Sequence, residues 1–152
     1  MARTILFRAK RIEDGVWVYG SHTVANGEHF ISNQNPKPED QWAFTYEVDP
    51  NTVSQYTGKR DSSNERIFEG DIIHHKRFNW FCPGHPKHKG DLENRILIRW
   101  SVKDAAFRTD VFDDERCFAS GYLEFGDERA KKITFKVIGN IFDNKDLLPE
   151  NK

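Results

Sequence analysis

The feature that most constrains the fold of this sequence is a series of short runs in which apolar residues recur at every second position. In Arg95–Trp100, isoleucine and tryptophan alternate with arginine and leucine, and in Lys132–Ile138 lysine and threonine alternate with apolar residues. A period of two is typical of a β-strand with one buried and one wet face. Because no stretch of about 12 residues sustains the 3.6-residue period of a helix, the sequence predicts a mainly β protein, either a sandwich or a small barrel.

The N-terminal part reads as a series of hairpins. The run Ile5–Ala9 alternates, Glu13–Gly15 is typical of a turn, and Gly15–Gly20 is a β-branched and aromatic run closed by glycines. A second turn at Ala25–Gly27 precedes a short predicted strand at His29–Ile31. These signals predict a hairpin followed by a third strand.

Two further regions complete the predicted organisation. Residues 33–40 are polar and contain two prolines, which predicts a loop or flexible excursion. In the C-terminal half, Ile72-Ile73 opens a strand, and Arg95–Trp100 pairs with Ala106–Phe112 through a turn at Ser101–Asp104. All these elements are short and separated by turn residues, as in other all-β domains.

Composition indicates where the protein is found but does not indicate an activity. The 152 residues carry a net charge of −1 and no apolar run long enough to cross a membrane, so we expect no membrane association. Met1–Thr4 leads into an alternating segment, so we expect no secretion signal. Cys82 and Cys117 are too few for a disulfide framework, and we expect two free thiols in a cytoplasmic protein.

Two segments are more specific than periodicity. The first runs from Val53-Ser54-Gln55-Tyr56-Thr57-Gly58 through a polar link to Ile67-Phe68-Glu69-Gly70-Asp71-Ile72-Ile73. The second is Val137-Ile138-Gly139-Asn140-Ile141-Phe142-Asp143-Asn144, followed by Leu147-Leu148. With the opening Phe7-Arg8-Ala9, they resemble the YopX family of phage and prophage proteins.

The resemblance implies a mainly β protein whose C-terminal part is an SH3-type barrel, encoded in a mobile genetic element and located in the cytoplasm of a host bacterium. Together with the hairpin signals, it leads us to expect a hairpin-rich β segment over residues 1–50 and the barrel over residues 51–152. The barrel would be interrupted by an inserted loop at 74–94, which the family need not share. The resemblance implies no known activity, no cofactor and no catalytic residues. One departure is visible, because Ser62–Glu65 replaces the usual glycine of the turn after the aspartate. Asn64 tolerates left-handed backbone geometry, so we expect the turn to survive.

The signature residues have a structural interpretation of their own. We expect Gly58 and Gly70 to permit sharp turns, and Asp71 to accept backbone hydrogen bonds at a strand entry. Gly139 within a strand pattern predicts a bulge or a close backbone crossing, and Asn140 would satisfy that irregular backbone.

In the alternative interpretation the signature forms a binding site, in which Gln55, Tyr56 and Asp71 line a surface groove.

The strongest candidate for a ligand-binding site in the sequence is a metal site. Cys82 and His85 have a spacing that suits zinc, and His88 or His74 would add a third or fourth ligand. The plain alternative is a polar, proline-containing surface loop that includes histidines by chance. The adjacent pair His74-His75 argues for that alternative, because neighbouring strand residues point to opposite faces.

The same region could bind nucleic acid. From His74 to Arg99, six cations face two carboxylates. Aromatic stacking beside phosphate pairing is how single strands are held. The alternative is that the aromatic side chains pack onto the barrel while the cations remain solvated. The candidate contacts are Lys76, Arg77, Trp80, Phe81, Lys87 and Lys89.

No signal in the sequence favours an enzyme. It contains no Gly-x-Ser-x-Gly, no phosphate-binding glycine loop and no His-Glu-x-x-His, and the acidic run Asp113–Glu115 is typical of a solvated turn. Our first hypothesis is therefore a non-enzymatic binding or assembly module that acts as a homo-oligomer, with a phage or host protein as a further partner. The second is a nucleic-acid-binding phage accessory protein, and the third a metal-dependent enzyme.

Overall fold

Strands dominate the computed structural model, which describes residues 4–33, 44–77, 92–111, 121–122 and 133–148. Within these ranges there is no α-helix and no helix with the length and apolar character needed to cross a bilayer. Two short 3-10 helices cover Pro50–Thr52 and Lys145–Leu147. The predicted mainly β class is confirmed. The strands are β1 (Phe7–Lys10), β2 (Trp17–Ala25), β3 (Glu28–Ser32), β4 (Thr45–Val48), β5 (Ser54–Arg60), β6 (Arg66–Phe68), β7 (Asp71–Arg77), β8 (Leu92–Ser101), β9 (Ala106–Val111), β10 (Gly121–Tyr122) and β11 (Ile133–Asn140).

The chain divides into two compact units, residues 1–58 and 59–152. In the first unit the strands follow the order β4-β3-β2-β1-β5, with antiparallel pairing throughout. The predicted hairpin is present, since β1 pairs with Trp17–Gly20, and in its turn the Asp14 carboxylate accepts a hydrogen bond from the Val16 amide at 3.0 Å.

Strand β2 is longer than its closing glycine suggested. Its first half pairs with β1, and its second half, Ser21–Ala25, pairs with β3. Gly20 lies where the strand changes partner, and a Cβ atom there would lie 1.8 Å from the carbonyl oxygen of Ser32. Glycine marks a close backbone approach inside the strand and not the strand's end.

The core of the first unit lies beneath β1, β3 and β4. Ala9, Ile31 and Val48 are fully buried there. An isolated bridge joins Arg11 to Val48, and the Ile12 amide donates to the Glu47 carbonyl at 3.2 Å. These bonds bring the end of β1 to the end of β4, so the chain curls over the buried side chains.

The second unit is built on an antiparallel sheet in the order β10-β9-β8-β7-β11. The predicted hairpin of β8 and β9 is present, with Ser101 paired to Ala106 next to the turn. Its core contains Ile67, Ile73, Ile98 and Phe107, and Phe135 and Val137 pack against these residues. Strand β8 is buried on both faces at its centre, because the consecutive residues Ile96, Leu97 and Ile98 are at most 7% exposed.

Two regions correspond to the predicted loops. Strand β7 continues to Arg77 and β8 starts at Leu92, so residues 74–77 and 92–94 belong to strands. Residues 78–91 lie outside the described part of the chain, as do residues 34–43, which hold most of the predicted 33–40 loop.

The predicted SH3-type barrel is not confirmed. Within the described residues the second sheet ends at β10 on one side and β11 on the other, and no ladder joins these two strands. Closure of a barrel requires pairing between the first and last strands of the sheet. What the structure supports is a mainly β protein with open antiparallel sheets.

Candidate functional site

The polar link within the first signature segment forms a turn held by one carboxylate. Asp61 is buried and accepts hydrogen bonds from the amides of Ser63 at 2.8 Å, Glu65 at 2.9 Å and Val137 at 3.0 Å. Burial alone would raise the pKa of Asp61, but these three bonds and the charge of Lys136 lower it below its usual value. The carboxylate is therefore charged at neutral pH and fixes the turn to β11.

Ser62, in the same turn, caps the outer edge of β11. The Ser62 amide donates to the Phe135 carbonyl at 2.8 Å, and the Phe135 amide donates to the Ser62 Oγ at 2.9 Å. Asn64 has a φ of 67°, the left-handed geometry that we expected of this turn. Exposed strand edges are templates for aggregation, and this turn occupies part of one.

Asp71 and Gly70 form a second structural anchor. Asp71 is 1% exposed, and its Oδ2 accepts a hydrogen bond from the Phe68 amide at 2.8 Å. Gly70 has a φ of 79°, donates its amide to the Ile98 carbonyl and accepts a bond from the Ile141 amide, both at 2.9 Å. The predicted roles of both residues are confirmed.

The second signature segment contains the predicted bulge. The register of β11 against β7 shifts between Val137 and Gly139. The Asn140 Oδ1 accepts hydrogen bonds from the amides of Phe142 at 2.9 Å and Asp143 at 3.0 Å. The Asn144 Oδ1 in turn accepts from the Asn140 amide at 3.1 Å. These side chains satisfy the backbone where the regular ladder breaks.

A ligand groove formed by the signature is not supported. Tyr56 is 7% exposed, its amide donates to the Leu6 carbonyl at 2.8 Å, and Gln55 pairs in register with Phe7. Asp71, in the other unit, is also buried. Because Tyr56 and Asp71 are buried, these two side chains are not accessible to a ligand.

The predicted nucleic-acid contacts divide into two groups. Lys76 and Arg77 are the last residues of β7 and pair in register with Glu93 and Leu92 of β8. The remaining candidates, Trp80, Phe81, Lys87 and Lys89, lie outside the described residues.

Three basic residues lie side by side in the sheet next to these positions. His74 of β7 is paired in register with Arg95 on one side and Lys136 on the other. Lys136 is exposed and the other two are half-buried. The Arg95 Nη1 donates to the Leu147 carbonyl at 2.8 Å, so this guanidinium already has a partner.

The zinc candidate Cys82, His85 and His88, and the acidic run Asp113–Glu115, also lie outside the described residues. His75 is buried, and its ring stacks on Phe135 with a centroid distance of 4.7 Å, whereas His74 is half-buried beside Arg95. Over the described ranges, no group of three or more potential ligands surrounds a common point.

Apolar side chains are exposed at the turn of the β1–β2 hairpin. Ile12 is 58% exposed and Val16 is 53% exposed. A surface cleft of about 350 Å³ opens beside them. It is lined by Lys10, Arg11, Ile12, Gly15, Asp49 and Pro50.

Both signs of charge surround this cleft. Arg11 forms a salt bridge with Asp14, and its guanidinium lies over the Tyr46 ring at 5.0 Å from the centroid. The Lys10 ammonium lies over the Trp17 ring at 5.5 Å from the centroid. Cation–π contacts of this kind hold long basic side chains in defined positions.

A histidine pair lies on β2 and β3 of the same unit. The His22 Nε2 and the His29 Nδ1 are 3.0 Å apart, and the Phe7 ring lies beside His22 with centroids 5.4 Å apart. Burial lowers the pKa of His22, and the neighbouring His29 lowers it further.

Neither histidine was predicted as a site residue from the sequence, although a signal exists. A two-residue Asn26-Gly27 turn places residues 22 and 29 on the same face of the hairpin.

Comparison with known proteins identifies the family of this chain. A family model described as YopX protein matches residues 6–149, which is nearly the whole chain. A search of curated proteins found no match. The match includes both signature segments whose hydrogen bonds are described above. The chain therefore belongs to the YopX family.

Proposed function

We propose that this protein is a non-enzymatic assembly module, of a phage or prophage, that associates with further copies of itself. The observation that carries the proposal is the apolar surface at the end of the β1–β2 hairpin, formed by Ile12, Val16 and the adjoining cleft. When a partner removes Ile12 and Val16 from water, the complex is stabilised by about 25 cal/mol per Å² of apolar surface buried.

The charges around the cleft favour a second copy as the occupant. A two-fold interface brings the same surface patch of each subunit together, so that patch must be complementary to itself. Here cations and carboxylates border the same apolar surface, namely Lys10 and Arg11 beside Asp14 and Asp49. The exposed Arg11–Asp14 pair contributes little within one subunit, so its partners can be exchanged across an interface at small cost.

The capped edge of β11 directs association away from that strand. A strand added along Phe135–Val137 would have to displace the bonds from Ser62 and Asp61. The hairpin end needs no such rearrangement. Association through side chains at this end therefore requires less free energy than β-augmentation along β11.

The test is the molar mass in solution, measured by light scattering after size-exclusion chromatography. We expect the wild-type protein to give a multiple of 17.8 kDa. Ile12→Asp and Val16→Asp should each shift the mass toward the monomer, because a carboxylate would be desolvated in the interface. Val102→Asp is the matched control, since Val102 is 87% exposed in the β8–β9 turn.

Two results would contradict the proposal. One is a wild-type protein that stays monomeric up to about 100 μM, which would leave only millimolar affinity. The other is an oligomer whose mass is unchanged in Ile12→Asp and Val16→Asp. That second result would place the interface elsewhere on the molecule.

A second candidate function, nucleic-acid binding, is supported by the row His74, Arg95 and Lys136 beside the end of β7. The predicted contacts Lys76 and Arg77 lie on the same strand as His74. A row of basic residues on a sheet can follow a phosphate backbone.

Fluorescence anisotropy of a labelled single-stranded oligonucleotide tests this candidate. Replacing Lys76, Arg77, Lys87 and Lys89 by alanine should weaken binding and lower the salt slope by about one for each phosphate that the variant no longer neutralises. Lys103→Ala, at an exposed position in the β8–β9 turn, is the control. Absence of any binding at low salt would exclude the candidate.

A further inference from the structure

The histidine pair of the first unit is positioned by the geometry of the β2–β3 hairpin. Asn26 and Gly27 have φ values of 54° and 84°, as a tight two-residue turn requires. The turn fixes the register, in which His22 lies opposite Ile31, and Val24 lies opposite His29. The two imidazoles are diagonal neighbours on one face, with ring centroids 5.1 Å apart.

We propose that His22 and His29 form a two-imidazole chelating site for a divalent transition metal ion, with His22 Nε2 and His29 Nδ1 as the ligand atoms. These two nitrogen atoms are 3.0 Å apart. With metal–nitrogen bonds of about 2.05 Å, that separation corresponds to a nitrogen–metal–nitrogen angle of roughly 94°.

The angle selects among metals. A tetrahedral zinc site would need the two nitrogen atoms about 3.3 Å apart. An angle close to 90° suits the square-planar or tetragonal coordination of Cu²⁺ and Ni²⁺. Cu²⁺ also has the highest intrinsic affinity for nitrogen ligands in the divalent series, so we expect the order Cu²⁺, then Ni²⁺, then Zn²⁺.

The surroundings of the pair suit a ligand role. Both histidines are half-buried, so an ion can reach them, while the adjacent Phe7 ring limits how far the His22 imidazole can rotate. For a metal to bind, both imidazoles would be neutral, with the ring proton of each on the nitrogen that faces away from the ion, so that both facing nitrogen atoms carry lone pairs. Since the described residues show no third protein ligand near the pair, water or another donor would complete the coordination.

The experiment must separate this pair from the cysteine and histidines of residues 82–88. The background is therefore the full chain carrying Cys82→Ser, His85→Gln and His88→Gln, together with Cys117→Ser because a free thiol would bind and reduce Cu²⁺. Equilibrium dialysis with Cu²⁺ and with Ni²⁺ gives the affinity and stoichiometry. Electron paramagnetic resonance of the copper form counts the bound nitrogen atoms.

We expect one Cu²⁺ per chain in this background, with two imidazole nitrogens bound. Adding either His22→Gln or His29→Gln should weaken binding at least about tenfold, because a chelate becomes a single ligand. Thr23→Ala, at an exposed position on the opposite face of the same strand, is the control and should leave the affinity unchanged. Circular dichroism of each variant verifies that the fold persists.

Two outcomes would overturn the proposal. The first is no Cu²⁺ or Ni²⁺ binding in the background at up to about 1 mM metal, which would leave the pair as a hydrogen bond between neutral imidazoles. The second is binding that is equally strong in the folded His22→Gln and His29→Gln variants. If both variants fail to fold, the electron paramagnetic resonance spectrum of the background decides, since a spectrum without two imidazole nitrogens refutes the site.

Discussion

Replacing Asp61 by alanine should loosen the attachment of β11 more than any exposed substitution nearby. The carboxylate accepts three part-buried backbone hydrogen bonds. The bond from Val137 joins the turn to β11, whereas those from Ser63 and Glu65 come from turn residues that are themselves exposed. A bond to a buried charge contributes about 1.5–3 kcal/mol, whereas the turn amides can return to water for roughly 0.5 kcal/mol each. The expected loss for Asp61→Ala is therefore about 3 kcal/mol.

Amide hydrogen exchange measures this loss where it should occur. A cost of about 3 kcal/mol corresponds to roughly 100-fold faster exchange of the Val137 amide. Asp110→Ala is the matched control, because Asp110 pairs with Arg99 at 3.1 Å between side chains that are 39% and 65% exposed. An exposed pair contributes at most about 1 kcal/mol.

The reasoning would be refuted if Val137 exchanged no faster in Asp61→Ala than in Asp110→Ala. That result would mean that β11 is held by its ladder with β7 alone. A loss spread evenly over both units would also count against it, since the bonds of Asp61 lie within the second unit.

Three further predictions concern stability. Because the pKa of Asp61 is lowered on folding, its stabilisation is present above about pH 4 and is lost as the pH falls through the lower folded pKa. In urea titrations at acid pH, the free energy of unfolding should therefore depend less on pH for Asp61→Asn than for the wild type. Equal pH dependence of the two proteins would contradict this prediction. Gly70→Ala should lower the free energy of unfolding by about 2 kcal/mol, because φ is 79° and the new Cβ would lie 3.2 Å from Phe142. Gly27→Ala, where φ is 84° and the new Cβ would meet open space, should lower it by about 1 kcal/mol. Similar losses for the two variants in urea titrations would contradict the packing argument. Ile98→Ala removes a fully buried side chain and should cost about 3 kcal/mol by the same assay, and a loss below about 1 kcal/mol would show that Ile98 is not in the core.

Local patterns in the sequence predicted most of the strands. The alternation in Arg95–Trp100 and Lys132–Ile138 identified β8 and β11, although Leu97 on the second face of β8 is buried as well. The bulge at Gly139 and the backbone role of Asn140 were also predictable, since each depends on residues close in the chain. Short-range hydrogen bonding leaves a recognisable trace in the sequence.

Interactions between distant residues were not predictable in the same way. The sequence indicates a strand end at Gly20. In the structure, however, a glycine is needed there because the Ser32 carbonyl of a neighbouring strand leaves no room for a Cβ atom. The approach of His22 to His29 also requires the register of the hairpin, although the Asn26-Gly27 turn gave a usable signal. Sheet closure depends on long-range pairing, and for this reason periodicity could not decide between an open sheet and a barrel.

The change of partner within β2 has a mechanical consequence for the first unit. One continuous strand pairs through its first half with β1 and through its second half with β3, so tension applied to either neighbour is transmitted along a single backbone. Gly20 lies where the two ladders meet, so a side chain that displaces the Ser32 carbonyl from this position would disturb both hairpins at once.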